Sequence, residues 1–190
     1  IYLPDNIGEL TNLSYLYVTE VNSIPESIGD LINLEYFTCN RCGGWNNFSL
    51  PSSIGNLINL ETLDFWGTDN LTTLPESIGN LSNLKYLFLD GTSSSDSGRS
   101  DLESLPESIG NLSNLIELNV RYNRLTSLPE SIGNLSSLET IDIIYNELSS
   151  LPESICNLPD DLFINVRYNN LCPEYNFECI SDFNYQDCDD

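Results

Sequence analysis

Histidine and methionine are absent from the 190 residues, lysine occurs only at Lys85, and no apolar run approaches membrane-spanning length. Without histidine there is no Ser-His or Cys-His nucleophilic pair, and the commonest general base is missing. A transmembrane helix needs about 18 or more consecutive apolar residues, so membrane insertion is not expected. Basic residues are scarce: 6 against 29 acidic ones, a net charge of −23. Nucleic acid and anionic membranes are recognised through basic patches, so neither is an expected partner. The charge fits either a salty medium that screens self-repulsion or a cationic partner. The chain begins at Ile1 and inside a repeat, in Leu3-Pro4-Asp5-Asn6-Ile7-Gly8, so further repeats are expected to precede it.

What the chain has in abundance is one repeated unit. Leu115, Leu118, Val120, Asn123, Leu125, Leu128, Pro129, Ile132 and Leu135 recur 23 residues later as Leu138, Ile141, Ile143, Asn146, Leu148, Leu151, Pro152, Ile155 and Leu158. The pattern L-x-x-L-x-L-x-x-N-x-L, then x-x-L-P-x-x-I-x-x-L, resembles the leucine-rich repeat, whose period is about 20–29 residues. Alternation in L-x-x-L-x-L predicts a strand with Leu118 and Val120 inward and Glu117, Asn119 and Arg121 outward. The asparagine is expected to pair backbone groups inside the following turn. In Leu-Pro-Glu-Ser-Ile-Gly, proline is expected at the first position of a short helix or 3₁₀ turn. Glutamate then complements the turn's dipole, and glycine supplies a left-handed residue at its end. One unit cannot bury its own apolar edge, so neighbours must stack. The resemblance implies a right-handed α/β solenoid with a parallel sheet on its concave face and short helical or 3₁₀ turns on its convex face.

Strand anchors fall at Leu13, Leu34, Leu60, Leu84, Leu115 and Leu138, with a seventh strand around Ile164 and Val166. Residues 1–170 are read as repeats and 171–190 as a C-terminal cap. Two units carry extra residues just after the strand: 39–47, with Trp45, and 90–101. Insertions on one face of a repeat array often mark its binding side. Long surface loops are also cheap to accommodate, so growth without function is the alternative.

Cys39 and Cys42 are read as a local disulfide, with free thiols or a redox pair as alternatives. Four cysteines cluster at the end: Cys156, Cys172, Cys179 and Cys188. Four allow three connectivities, and the pairing expected here is Cys156 with Cys179 and Cys172 with Cys188. A zinc site is the alternative. The segment Ser154-Ile155-Cys156-Asn157-Leu158, with Asn170-Leu171-Cys172-Pro173, Cys179-Ile180 and Gln186-Asp187-Cys188, resembles the end of secreted bacterial leucine-rich repeat proteins, many of them marine. That resemblance implies a secreted or cell-surface, non-enzymatic recognition module.

Aromatics crowd the outward positions of the first four strands. Tyr15, Tyr17, Tyr36, Trp66, Tyr86 and Phe88, with Trp45, Asp64 and Asp90 beside them, form the candidate ligand site. Tyrosine and tryptophan give contact area at little entropic cost, although aromatics also simply suit strands. The expected ligand is a protein or peptide, and the net charge would favour a cationic one. The rivals are a carbohydrate-binding or adhesion module and a structural spacer without a tight ligand. Catalysis by Asp64, Glu117 and Asp142 is not expected, because an open sheet desolvates an acid little. No cofactor is expected; calcium at Asp90, Asp96 and Asp101 is a lesser alternative. Tyr122, Tyr145 and Tyr168 are read as a packed ladder.

Overall fold

A computed structural model describes residues 2–43, 48–68, 70–92, 101–171, 179–180 and 186. Its strands are β1 (Tyr15–Thr19), β2 (Tyr36–Asn40), β3 (Thr62–Asp64), β4 (Tyr86–Phe88), β5 (Glu117–Asn119), β6 (Thr140–Asp142) and β7 (Phe163–Asn165). They form one parallel sheet in chain order. The register repeats without slippage, so Phe37, Leu63, Leu87, Leu118, Ile141 and Ile164 lie in a single row across β2 to β7. Of these, Phe37 to Ile141 are fully buried, while Ile164 at the end is only packed against the core. A one-residue slip would turn that row to solvent, which is what fixes the register.

The second half of each unit is a short 3₁₀ turn, three residues long at Ile7–Glu9 and five in the later units, as in Glu107–Asn111 and Glu130–Asn134. Proline is not its first helical residue. Pro106 and its equivalents stand one position earlier with extended backbone, where the carbonyl accepts the N–H of the isoleucine three residues on, 3.0 Å for Ile109. The glutamate does more than complement a dipole. Oε2 of Glu26, Glu76 and Glu107 accepts the N–H of Ser53, Ser108 and Ser131 in the next coil, at 3.1–3.2 Å.

The turn's glycine also has a different cause from the one expected. None of these glycines is left-handed; the positive-φ glycines are Gly43 and Gly67. A Cβ on Gly110 would instead stand 2.4 Å from the Ser131 carbonyl oxygen and 2.6 Å from its Cβ. The same serine–glycine contact recurs from Gly8 to Gly133. Glycine and serine are therefore the contact that sets how closely the convex turns stack.

The left-handed position lies just after the strand, at Glu20, Arg41, Gly67, Tyr122, Tyr145 and Tyr168. For a residue with a Cβ this costs roughly 1–2 kcal/mol. Tyr122, Tyr145 and Tyr168 stack in parallel there, with ring centroids 4.8 and 4.2 Å apart, as a packed ladder requires.

The asparagine that follows bonds on both sides of its coil. Asn146 Nδ2 donates to the Val120 and Ile143 carbonyls, both at 2.9 Å, and its Oδ1 accepts the Leu125 N–H at 3.0 Å. Asn169 repeats this one coil later. Gln186 then takes the next rung: its Oε1 accepts the Leu171 N–H and its Nε2 donates to the Val166 carbonyl. The ladder is absent from the first four units, where the position is held by Val21, Cys42, Thr68 and Thr92. Cys42 is disulfide-bonded to Cys39, so a covalent link closes the turn where an amide would have done so.

Cys156 is bonded to Cys179 across 23 residues. Cys172 and Cys188 lie outside the described residues, as do Trp45 and Asp96 with residues 44–47 and 93–100 of the two insertions. Among the described residues no helix is long and apolar enough to cross a membrane.

Candidate binding face

The outward side chains of β1–β7 make three rows, placed by the same register as the core. The first runs Tyr15, Tyr36, Thr62, Tyr86, Glu117, Thr140, Phe163; the second runs Tyr17, Thr38, Asp64, Phe88, Asn119, Asp142, Asn165. Thr19 and Asn40 begin the third, which Trp66, Asp90 and Arg121 extend just past the shorter strands. Tyr15, Tyr17 and Tyr36 are 57, 52 and 40% exposed and Trp66 is 36% exposed. Tyr86 and Phe88 are half-buried and stacked on each other, 6.2 Å between centroids. Tyr15 lies 6.1 Å from Tyr36, and the Arg41 guanidinium covers one face of Trp66 at 5.5 Å. Tyr15, Tyr17, Tyr36, Trp66, Tyr86 and Phe88 therefore lie on one surface, while Trp45 is outside the described residues. Phe163 on β7 is equally open, at 60%, and was legible only as an outward strand position.

The acids behave differently. Residues of the second row spend an oxygen on their own backbone. Asp142 Oδ1 accepts the Ile144 N–H at 3.2 Å and Asn119 Oδ1 accepts the Arg121 N–H at 3.3 Å; Asp64 accepts the Trp66 N–H in the same way. Burial nevertheless raises both the Asp64 and Asp142 carboxyls above the ordinary aspartate value, against that backbone bond.

Asp90 is not an exposed contact: it is 6% exposed. Its Oδ2 faces Arg121 at 3.6 Å and its Oδ1 has no hydrogen-bond partner. Burial pushes its pKa to about 7; Arg121 opposes the shift, and Asp142, Asp64 and Glu117 reinforce it. Asp101 pairs with Arg124 at 3.6 Å; Asp96, the middle member of the calcium alternative, lies outside the described residues. Among the described residues no group of three acids or cysteines could hold a metal ion.

The Asp90 shift has a measurable consequence. The folded state holds this proton up to pH about 7, the unfolded chain only to about 3.8. Between those values the folded state carries more protons, so the contribution of Asp90 to stability falls as pH rises through the window. Asp90→Asn removes the charge and keeps the shape. It should raise stability at pH 8 by about 1–3 kcal/mol and change it little at pH 4. Urea titrations at the two pH values test this.

Two leucine-rich repeat profiles match the sequence, a "leucine-rich repeat region" over 41–122 and a "leucine rich repeat" over 113–171, together covering 41–171. The chain is a leucine-rich repeat protein. A leucine-rich repeat protein of Leptospira interrogans is 33% identical with a TM-score of 0.73, covering 89% of this chain and 41% of its own. The ectodomain of the Arabidopsis thaliana membrane receptor kinase GASSHO1/SCHENGEN3, solved in complex with CASPARIAN STRIP INTEGRITY FACTOR 2, is 30% identical with a TM-score of 0.66. That match covers 89% of this chain and 20% of the receptor. The plant peptide hormone receptor RGFR1, in complex with RGF2, is 29% identical at the same TM-score, over 90% of this chain and 31% of the receptor. This leucine-rich repeat chain thus spans less than half the length of each. No curated protein matches it in sequence.

Proposed function

We propose that this chain is a secreted or cell-surface, non-enzymatic recognition module that binds a protein or peptide across its concave face. The observation that carries the reading is the run of open aromatics on β1–β4: Tyr15, Tyr17, Tyr36 and Trp66, continued by the Tyr86–Phe88 stack. Large aromatics left in water on a rigid sheet are the residues that dominate binding energy when covered. Support comes from structural relatives, a receptor kinase ectodomain and a peptide hormone receptor, that were each solved in a complex. The disulfides Cys39–Cys42 and Cys156–Cys179 favour an oxidising location.

A peptide array and a glycan array, probed in parallel with the labelled protein, test the ligand class. Binding to peptides is expected. Selective binding to glycans would transfer the same aromatics to sugar stacking. The variant Tyr36→Ala/Trp66→Ala/Tyr86→Ala should lose at least about 100-fold in affinity for any peptide found. Its melting temperature should stay close to wild type, because these rings lie outside the buried core.

A further inference from the structure

The concave face holds a second feature that its aromatics do not explain. On adjacent strands β3 and β4 the register sets Asp64 beside Phe88, and the next outward positions are Trp66 and Asp90. Two carboxylates therefore occupy one diagonal of a four-residue tile and two aromatic rings the other. With strands about 4.8 Å apart and about 3.3 Å per residue, such diagonal neighbours lie roughly 8 Å apart, within reach of a shared ligand group.

The tile carries more negative charge than its surroundings answer. Asp142, Asp64 and Glu117 all act on Asp90, and Arg121 is the cation that opposes them there. Arg121 meets only Oδ2, at 3.6 Å, a long ion pair. Oδ1 of the buried Asp90 is left without any hydrogen bond. An unanswered carboxylate oxygen in a desolvated setting is costly, and a cation held nearby lowers that cost through its charge without bonding to it. Arg41 already lies over one face of Trp66, so this ring accepts a guanidinium within the protein itself.

We propose that the Asp64–Phe88–Trp66–Asp90 tile is a subsite for one cationic side chain of the ligand, an arginine or a lysine. The group lies against the Asp64 carboxylate and the aromatic edges. Asp90 acts from beneath as a positioning residue, through its charge and without direct contact. A guanidinium suits the tile best, because it both stacks on rings and pairs with carboxylates. Binding is then linked to ionisation of Asp90. The arriving cation expels its proton, with Asp64 on β3, Glu117 and Arg121 on and after β5, and Asp142 on β6 as the other charges facing it. This inference rests on the concave face being the ligand surface.

The test uses blocked tri-arginine and its uncharged citrulline analogue, titrated calorimetrically into the whole chain at pH 6 and pH 8. Tri-arginine should bind at least about tenfold more tightly than tri-citrulline, and about fivefold more tightly at pH 8 than at pH 6. Asp64→Asn should remove most of that affinity. The variant is expected to fold, since Asn119 makes the same bond to the backbone two residues on. Asp90→Asn should flatten the pH dependence. Glu107→Gln/Glu130→Gln, on the convex turns, removes more charge and should leave affinity within about twofold.

Equal losses from the convex pair would show diffuse attraction and overturn the subsite. So would an unchanged Asp64→Asn, or a pH dependence surviving in Asp90→Asn. If array-selected peptides still depend on Tyr36, Trp66 and Tyr86 while Asp64→Asn binds them normally, the subsite falls and the concave-face function stands.

Discussion

Asn146→Ala is expected to destabilise the protein by about 3–5 kcal/mol, the largest effect of any single polar substitution here. Asn146 is 1% exposed and its amide answers the Val120 and Ile143 carbonyls and the Leu125 N–H. Alanine leaves these three buried groups in place and unpaired, and each orphan costs about 1–3 kcal/mol. Asn146→Asp should be no better: it keeps an acceptor for Leu125, loses both donated bonds and buries a charge. Because coils contact mainly their neighbours, the damage should centre on the coils of β5 and β6. Urea unfolding gives the size, and hydrogen exchange should show early loss of protection at Leu125, whose N–H loses its acceptor.

Gly110→Ala is expected to cost about 2–4 kcal/mol, against the usual preference for alanine over glycine in a helical turn. The backbone there is not left-handed, so conformational strain is not the cause. The added Cβ would meet the Ser131 carbonyl oxygen at 2.4 Å, and that oxygen belongs to a backbone held by the next coil. The two turns must separate by several tenths of an ångström, and the Glu107–Ser131 hydrogen bond at 3.2 Å would lengthen with them. Ser131→Gly in the same chain should restore little, because it removes the serine Cβ and leaves the oxygen. Full rescue by that second change would place the conflict in the side chain.

These two positions show what was legible in the sequence. The strand anchors and the inward row from Phe37 to Ile141 follow from spacing alone, because a period-two apolar pattern repeated at nearly constant interval admits one register. Asn123 and Asn146 were legible as turn-closing amides for the same reason. The glycine was recognised as necessary for the wrong reason. Its constraint comes from a serine 19 to 29 residues away in the next coil, and local turn chemistry gives no hint of it. Glu107 likewise reads as a dipole partner within its own turn, while its bond crosses to Ser131.

Gln186 was not legible at all. It lies beyond the repeats and differs from asparagine by one methylene, yet it closes the amide ladder on Leu171 and Val166. On the outward face, alternation placed the aromatics correctly. It gave no sign that Asp90 would be buried, since burial there depends on neighbouring strands.

The most direct test of a concave recognition face is a peptide-display selection on the immobilised wild-type chain, with each recovered peptide measured against Tyr36→Ala/Trp66→Ala/Tyr86→Ala and Glu107→Gln/Glu130→Gln. Peptides that lose binding to the aromatic variant and keep it for the convex one are the expected result. A set of peptides indifferent to the three aromatics, or held by the convex turns, would contradict it.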